Sequence, residues 1–256
     1  MPSEGQTLLT PSLLVDNRLP VGVGLLPRPV VVVPALSWYN QVKRTLDIAL
    51  ALLMLIPSLP VILLFALLVK LTSRGPAFYS QTRVGKGGRP FTIWKLRSMV
   101  VDSEKYGAQW CAKGDPRITP LGHFLRRSHI DELPQLWNIL RGEMSLIGPR
   151  PERPEFVPKL EAAIPGYKER LKVLPGVTGL AQIHLPADSD LPGVERKLAM
   201  DLYYIKTMSF WMDLRIFLAT IIHVFKPYMA DKWFFRLTPQ KCAKALSAAM
   251  PPPGYE

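Results

Sequence analysis

The densest gathering of reactive side chains is the run Arg126-Arg127-Ser128-His129-Ile130-Asp131-Glu132-Leu133-Pro134. Ser128 stands three residues before Asp131, a spacing that suits a helix start. Pro134 is tolerated only near a first turn, so it also places that start close to Asp131. A helix N-terminus favours a negative side chain and attracts phosphate. Consecutive helical residues point about 100° apart, so Asp131 and Glu132 cannot both face one atom squarely. They can divide the work: one carboxylate attacks phosphorus and the other helps hold a hard divalent cation such as Mg²⁺, which bridges carboxylate and phosphate oxygens. The plainer reading of the same pair is a capping Asp followed by a solvated Glu, and the two residues alone do not decide between these readings. His129 reads as a packing or surface residue.

The elements around this run carry a membrane signal. From Ile48 to Val69 the chain runs without a charge, long enough to cross a bilayer core as a helix. Pro57 and Pro60 sit at its middle with Ser58 between them, and each proline removes a helical hydrogen bond. Ser58 can satisfy a carbonyl freed by such a break. Lys43 and Arg44 precede the run and Lys70 and Arg74 follow it. Positive charge prefers the cytoplasmic side, so basic residues at both ends suit a helix that enters, bends and leaves on one face. A kinked spanning helix and a buried core helix are the alternatives. A second stretch, Phe210–Phe235, interleaves aromatic and basic residues. It suits either a helix at the headgroup level or a core helix under the domain.

Between these segments, Ala77–Arg83 and Pro90–Met99 read as strands around a turn at Gly85, Gly87 and Gly88. On the second strand Lys95 and Arg97 would share a face. Ile118–Arg127, Glu132–Leu140 and Pro192–Met208 read as helices, with Pro-rich loops at Gly148–Pro154 and Pro175–Gly179. The net charge of +12 suits an anionic partner. Much of that charge flanks apolar segments or sits beside the acid pair, so no nucleic acid is expected as partner. Cys111 and Cys242 lack CxxC or paired Cys/His spacing, which points away from disulfides and structural zinc. Met1–Asp16 has no basic region leading into an apolar run, so no secretory signal peptide is expected.

The segment Ser128–Pro151, SHIDELPQLWNILRGEMSLIGPRP, closely resembles the initiating phosphoglycosyl transferases of the bacterial sugar transferase family. The resemblance extends over residues 40–226. It runs through Lys43-Arg44-x-x-Asp47, Gly75-Pro76-Ala77-Phe78-Tyr79-x-Gln81-x-Arg83-Val84-Gly85 and Phe91-x-Ile93-x-Lys95-x-Arg97-Ser98-Met99. It continues through Asp115-Pro116-Arg117-Ile118-Thr119, Pro175-Gly176-Val177-Thr178-Gly179-x-Ala181-Gln182 and Asp201-x-Tyr203-Tyr204-Ile205. It implies an α+β fold: a re-entrant, proline-broken membrane helix with a small cytoplasmic, mostly helical α/β domain and interfacial amphipathic helices. It implies transfer of a sugar 1-phosphate from a UDP-sugar to undecaprenyl phosphate, with release of UMP. Asp131 would form a covalent phosphosugar intermediate and Glu132 would be tied to Mg²⁺. Arg126, Arg150, Lys95, Arg97, Arg83 and Arg117 are the candidates for handling the phosphates, and Arg150 is stiffened by Pro149 and Pro151. For Lys95, Arg97, Arg83 and Arg117 a surface ion pair or a headgroup contact competes.

Three departures from the family pattern stand out. Leu59 rather than Ser precedes Pro60, Leu180 stands where Trp is common, and Ile183-His184-Leu185-Pro186 replaces a Gly-Arg pair. The expected organisation is a flexible extension (1–38), the re-entrant membrane helix (39–74), the catalytic domain (75–208), an interfacial segment (209–236) and a tail (237–256). The expected location is the cytoplasmic face of a bacterial inner membrane, with a phospholipid membrane as partner and a homodimer left open. A non-catalytic scaffold for glycan assembly is the competing function.

Overall fold

A computed structural model describes residues 38–247, except 106, 108, 112–113, 165, 187–189, 226–234 and 236. Its dominant element is the 35-residue helix α1 (Trp38–Thr72), about 52 Å long at the usual rise. Leu, Ile and Ala favour the helix, and Lys70 in its last turn suits the helix dipole. Pro57 and Pro60 both lie inside it.

One stripe of α1 faces the rest of the protein: Tyr39, Asp47, Ala51, Ser58, Ile62, Ala66 and Val69, all buried at roughly helical spacing. The opposite face leaves Leu52, Leu53, Ile56, Leu59, Leu63, Leu64, Leu67 and Leu71 between 50% and 75% exposed. Leaving those eight side chains in water would forgo on the order of 10 kcal/mol, comparable to a whole domain's stability. Lipid removes that penalty, and α1 meets the length and apolarity of a membrane helix over Gln41–Thr72. The protein is membrane-associated.

Both ends of α1 are fastened to one domain. At the start, Lys43 pairs with Asp213, which also accepts from Tyr39 Oη at 2.6 Å. Arg44 donates to Leu140 O and Met144 O, and Asp47 Oδ1 accepts from Leu146 N at 3.1 Å. At the other end, Ile62, Ala66 and Val69 pack against Leu96 and Leu125. The Lys43-Arg44-x-x-Asp47 motif is therefore a set of three tethers to three different elements.

The domain opens with an antiparallel hairpin, β1 (Phe78–Val84) and β2 (Pro90–Leu96), in register from Phe78↔Leu96 to Val84↔Pro90. The strand expected to reach Met99 ends at Leu96, because the Arg97 guanidinium turns back onto the carbonyls of Ser73, Arg74 and Pro76. Lys95 and Arg97 thus act in different places. Helix α2 (Pro120–Ser128) starts at Thr119, whose Oγ1 accepts from Gly122 N. Ser128 ends this helix rather than starting the next: its Oγ donates to Phe124 O. After His129 comes a 3-10 turn, Ile130–Gln135, and then α3 (Leu136–Arg141).

Two three-residue strands not expected from the sequence, β3 (Ser145–Ile147) and β4 (Gly176–Thr178), pair in parallel. They are followed directly by the Gly148-Pro149-Arg150 loop and by α5 (Leu180–His184). A Cβ on Gly176 would lie 2.1 Å from Gly148 N, so this crossing requires glycine. Helices α4 (Val157–Ala163) and α6 (Leu191–Thr207) close the core with Phe156, Leu160, Tyr167, Leu198 and Tyr204. Asp190 caps α6 by accepting from Gly193 N at 2.7 Å. Helix α7 (Phe210–Phe225) buries Ile216 and Ala219 yet exposes Trp211, Leu218 and Ile221. Helix α8 (Pro239–Ser247) packs on α6. The extension 1–37 and the aromatic-basic stretch 226–234 lie outside the described residues.

Candidate active site

His129 is the hinge of the site. It adopts a left-handed conformation (φ 56°, ψ 16°), uncommon for a residue with a Cβ. This bend separates α2 from the 3-10 turn. Asp131 and Glu132 from that turn then line a cavity of about 1130 Å³, together with His129, Arg126 and Arg150. The helix start expected at Asp131 is therefore a 3-10 turn, and its neighbours do the electrostatic work.

The two carboxyls live in opposite environments. Glu132 Oε1 accepts from Lys95 Nζ and from Arg150 Nη2, each at 2.6 Å, and Oε2 accepts from Arg150 Nη1 at 3.3 Å. Burial pushes the Glu132 carboxyl up, but Arg150 and Lys95 together outweigh it and hold it well below the usual range. Asp131 is 6% exposed, and it accepts no hydrogen bond and forms no ion pair among the described residues. Burial, reinforced by the Glu132 charge, pushes its carboxyl up to about 6, against the weaker pull of Lys95, Arg126 and Arg150. The partners of Glu132 differ as well. Arg150 is raised mainly by the Glu132 charge, whereas burial lowers Lys95 despite the same contact.

The other candidate cations are scattered. Arg126 lines the cavity and makes no hydrogen bond or ion pair among the described residues, which leaves its guanidinium free for an anion. Arg83 donates to Pro151 O and Gln81 Oε1 and lies 3.5 Å from Glu152. Arg117 is paired with Asp115 at 2.6 Å and donates to Ser103 O. Arg97 serves the end of α1, as described above. Pro57 and Pro60 lie on the outer face of α1, while Ser58 faces inward.

Two positioning residues carried no signal of their own in the sequence. Asn138 is fully buried. Its Nδ2 donates to Thr92 O and Glu143 Oε2, and its Oδ1 accepts from Trp94 N. It fixes β2, and with it Lys95, against the acid turn. Arg170 donates to Arg150 O at 2.9 Å.

For a divalent cation the donor set is sparse but suitable. No group of three or more His, Cys, Asp or Glu placed for a metal occurs among the described residues. Mg²⁺ commonly uses one or two carboxylates plus substrate phosphates. A buried Asp131, with no hydrogen bond or ion pair among the described residues, beside Glu132 fits that mode.

An acid pair whose Glu132 is held by Arg150 and Lys95, set in a small domain on a membrane-length helix, defines a membrane-associated protein with a charged cavity. The chain belongs to the bacterial sugar transferase family, which it matches over residues 38–227. It is 44% identical over 197 residues to the UDP-N-acetylgalactosamine-undecaprenyl-phosphate N-acetylgalactosaminephosphotransferase of Aeromonas hydrophila, covering 77% of this chain and 45% of that protein. It is 43% identical over 194 residues to the UDP-glucose:undecaprenyl-phosphate glucose-1-phosphate transferase of Escherichia coli, covering 74% and 42%. The protein of the same name from Caulobacter vibrioides is 45% identical over 181 residues, covering 70% and 68%. The chain thus spans less than half the length of the first two relatives.

Proposed function

We propose that the protein is a phosphoglycosyl transferase that moves a sugar 1-phosphate from a UDP-sugar to undecaprenyl phosphate and releases UMP. The observation that carries this reading is the contrast within the acid pair: Glu132 is neutralised by two cations, while Asp131 is buried with no hydrogen bond or ion pair among the described residues. In the first step a carboxylate oxygen of Asp131 attacks the sugar-bearing phosphorus. The bond to the bridging oxygen breaks, and UMP leaves with that electron pair. In the second step a phosphate oxygen of the lipid acceptor attacks the same phosphorus, which releases Asp131 as carboxylate. Such displacements need positioning and charge neutralisation more than proton transfer. Arg126, with no hydrogen bond or ion pair among the described residues, would take one phosphate, and Arg150 reaches Glu132 from the opposite loop. Glu132, with Asp131, would hold Mg²⁺, which when bound neutralises pyrophosphate charge and eases departure of UMP.

Solubilised protein given a panel of UDP-sugars and undecaprenyl phosphate is expected to release UMP, and chelation of Mg²⁺ is expected to stop it. Release of UDP instead would point to direct glycosyl transfer and sink the reading. The panel includes UDP-N-acetylgalactosamine and UDP-glucose, since the named relatives are transferases of those two sugars.

The membrane arrangement belongs to the same proposal. A helix whose two ends are bound to one charged domain cannot deliver them to opposite sides of a bilayer. The tethers at Lys43, Arg44 and Asp47 and the packing at Val69 therefore support re-entry, with a bend near Pro57-Ser58-Pro60 in lipid. The exposed Trp211, Leu218 and Ile221 of α7 support a helix at the headgroup level, and the catalytic domain then faces the cytoplasm of a bacterial inner membrane. The divisions that follow are an extension 1–38, membrane helix 39–74, catalytic domain 75–208, interfacial segment 209–236 and tail 237–256. Cysteine labelling at residues 36 and 76 in intact cells is expected to mark neither site until the inner membrane is permeabilised. Labelling of residue 36 alone from outside would establish a spanning helix.

A further inference from the structure

Arg170 and Asp201 take no part in the chemistry above, yet both line the same cavity as Arg150. Arg170 lies on the 3-10 turn Tyr167–Lys172 and Asp201 on α6, and their buried ion pair is closed by Arg170 Nη2 at 2.7 Å and Nε at 3.1 Å from Asp201 Oδ2. Arg170 Nη1 donates to Tyr167 Oη at 2.6 Å. Nη2 also donates to the main-chain oxygen of Arg150 at 2.9 Å. The groups before Arg150 in that loop are held by backbone: Gly148 N donates to Thr178 O, and Gly176 N donates to Pro149 O. At Arg150 and Pro151 the carbonyls are held by side chains instead, Arg170 on the first and Arg83 on the second, and from there Arg150 reaches Glu132. A buried ion pair is a weak way to stabilise a fold, since apolar residues of the same volume often do as well. Its charges make better sense as a means of fixing a geometry.

We propose that Arg170, oriented by Asp201 and Tyr167, is a positioning residue that holds the Arg150 main chain where its guanidinium serves Glu132 and the substrate phosphate. This rests on the phosphoglycosyl transferase reading of the site. A lysine at 170 keeps the charge opposite Asp201 but cannot reach Asp201, Tyr167 and Arg150 together. Misplacement of a catalytic group by about 1 Å costs on the order of 100-fold.

The test is a double-mutant cycle on UMP release. Arg170→Lys is expected to lower kcat roughly 10- to 100-fold while KM for the UDP-sugar stays within about threefold. In an Arg150→Ala background the same change is expected to cost less than about twofold, because its target is gone. Losses that multiply independently would overturn the proposal. Tyr167→Phe, which removes one hydrogen bond from Arg170, gives a milder version of the cycle if Arg170→Lys does not fold. A wild-type protein that turns over no UDP-sugar refutes the functional reading instead. The positioning role is then read from the Arg150 guanidinium Nη–H resonances in nanodiscs, which donate to Glu132 and are expected to be protected from exchange in the wild type and unprotected in Arg170→Lys. Equal protection in both proteins overturns it.

Discussion

Asp131→Asn is expected to abolish sugar-phosphate transfer and, in the same protein, to raise the thermal midpoint. A carboxamide does not attack phosphorus, so the loss in kcat should be at least about 10⁴-fold. The gain in stability follows from burial. The Asp131 carboxyl is pushed from 3.8 up to about 6 in the folded protein. A raised carboxyl means that the folded state favours the protonated form. The contribution of Asp131 to stability is therefore greatest below pH 4 and declines as pH rises from 4 through about 6, by up to about 3 kcal/mol. Asparagine has no charge to bury, so about 1–2 kcal/mol should return at pH 7.5, a shift of a few degrees. Thermal unfolding of both proteins in one detergent, at pH 7.5 and at pH 4.5, checks the sign: the difference should shrink at the lower pH. The same burial predicts an acid limb in wild-type kcat/KM above the usual carboxylate range, one that bound Mg²⁺ would move to lower pH. A variant that keeps turnover, or that melts below the wild type at pH 7.5, contradicts this account.

Glu132→Gln should act in the opposite direction on stability while also removing activity. Glu132 is the acceptor for Lys95 and Arg150 at once. Its depressed carboxyl contributes stability that is present above the unfolded value near 4.5 and is lost as pH falls through the lower folded value. Glutamine leaves two neighbouring cations without their counter-charge, at a cost on the order of 3 kcal/mol. The expected drop in midpoint is roughly 5–10 °C. Turnover should fall at least about 100-fold, with the residue of activity no longer responding to Mg²⁺. A midpoint equal to wild type would show that Lys95 and Arg150 do not depend on this acid. Adjacent carboxyls with opposite stability effects are the signature of a pair whose roles are divided.

The sequence made the acid pair and Arg150 visible because residue type and an ordered series of motifs announced them. It made the apolar helix visible through length alone. What it hid was geometry that depends on distant partners. Ser128 looked like a cap before Asp131, but a left-handed His129 ends one helix there and starts a 3-10 turn. Lys95 and Arg97 looked equivalent on an alternating strand, yet the strand stops between them and Arg97 finds the carbonyls at the end of α1. β3 and β4 were too short to show a period, and their pairing depends on two glycines crossing. Asn138 and Arg170 gave no local signal, since each works by reaching an element far away in the chain.

The stop in β2 has a wider consequence. Two residues apart, one cation grips the reactive turn and the next grips the terminus of the lipid-facing rod. The distance of Asp131 and Glu132 from that rod is therefore built into a few ångströms of backbone. On the proposed phosphoglycosyl transferase reading, an acceptor carried by a lipid tail arrives at a fixed height, and the Asp131 oxygen is held to meet it there.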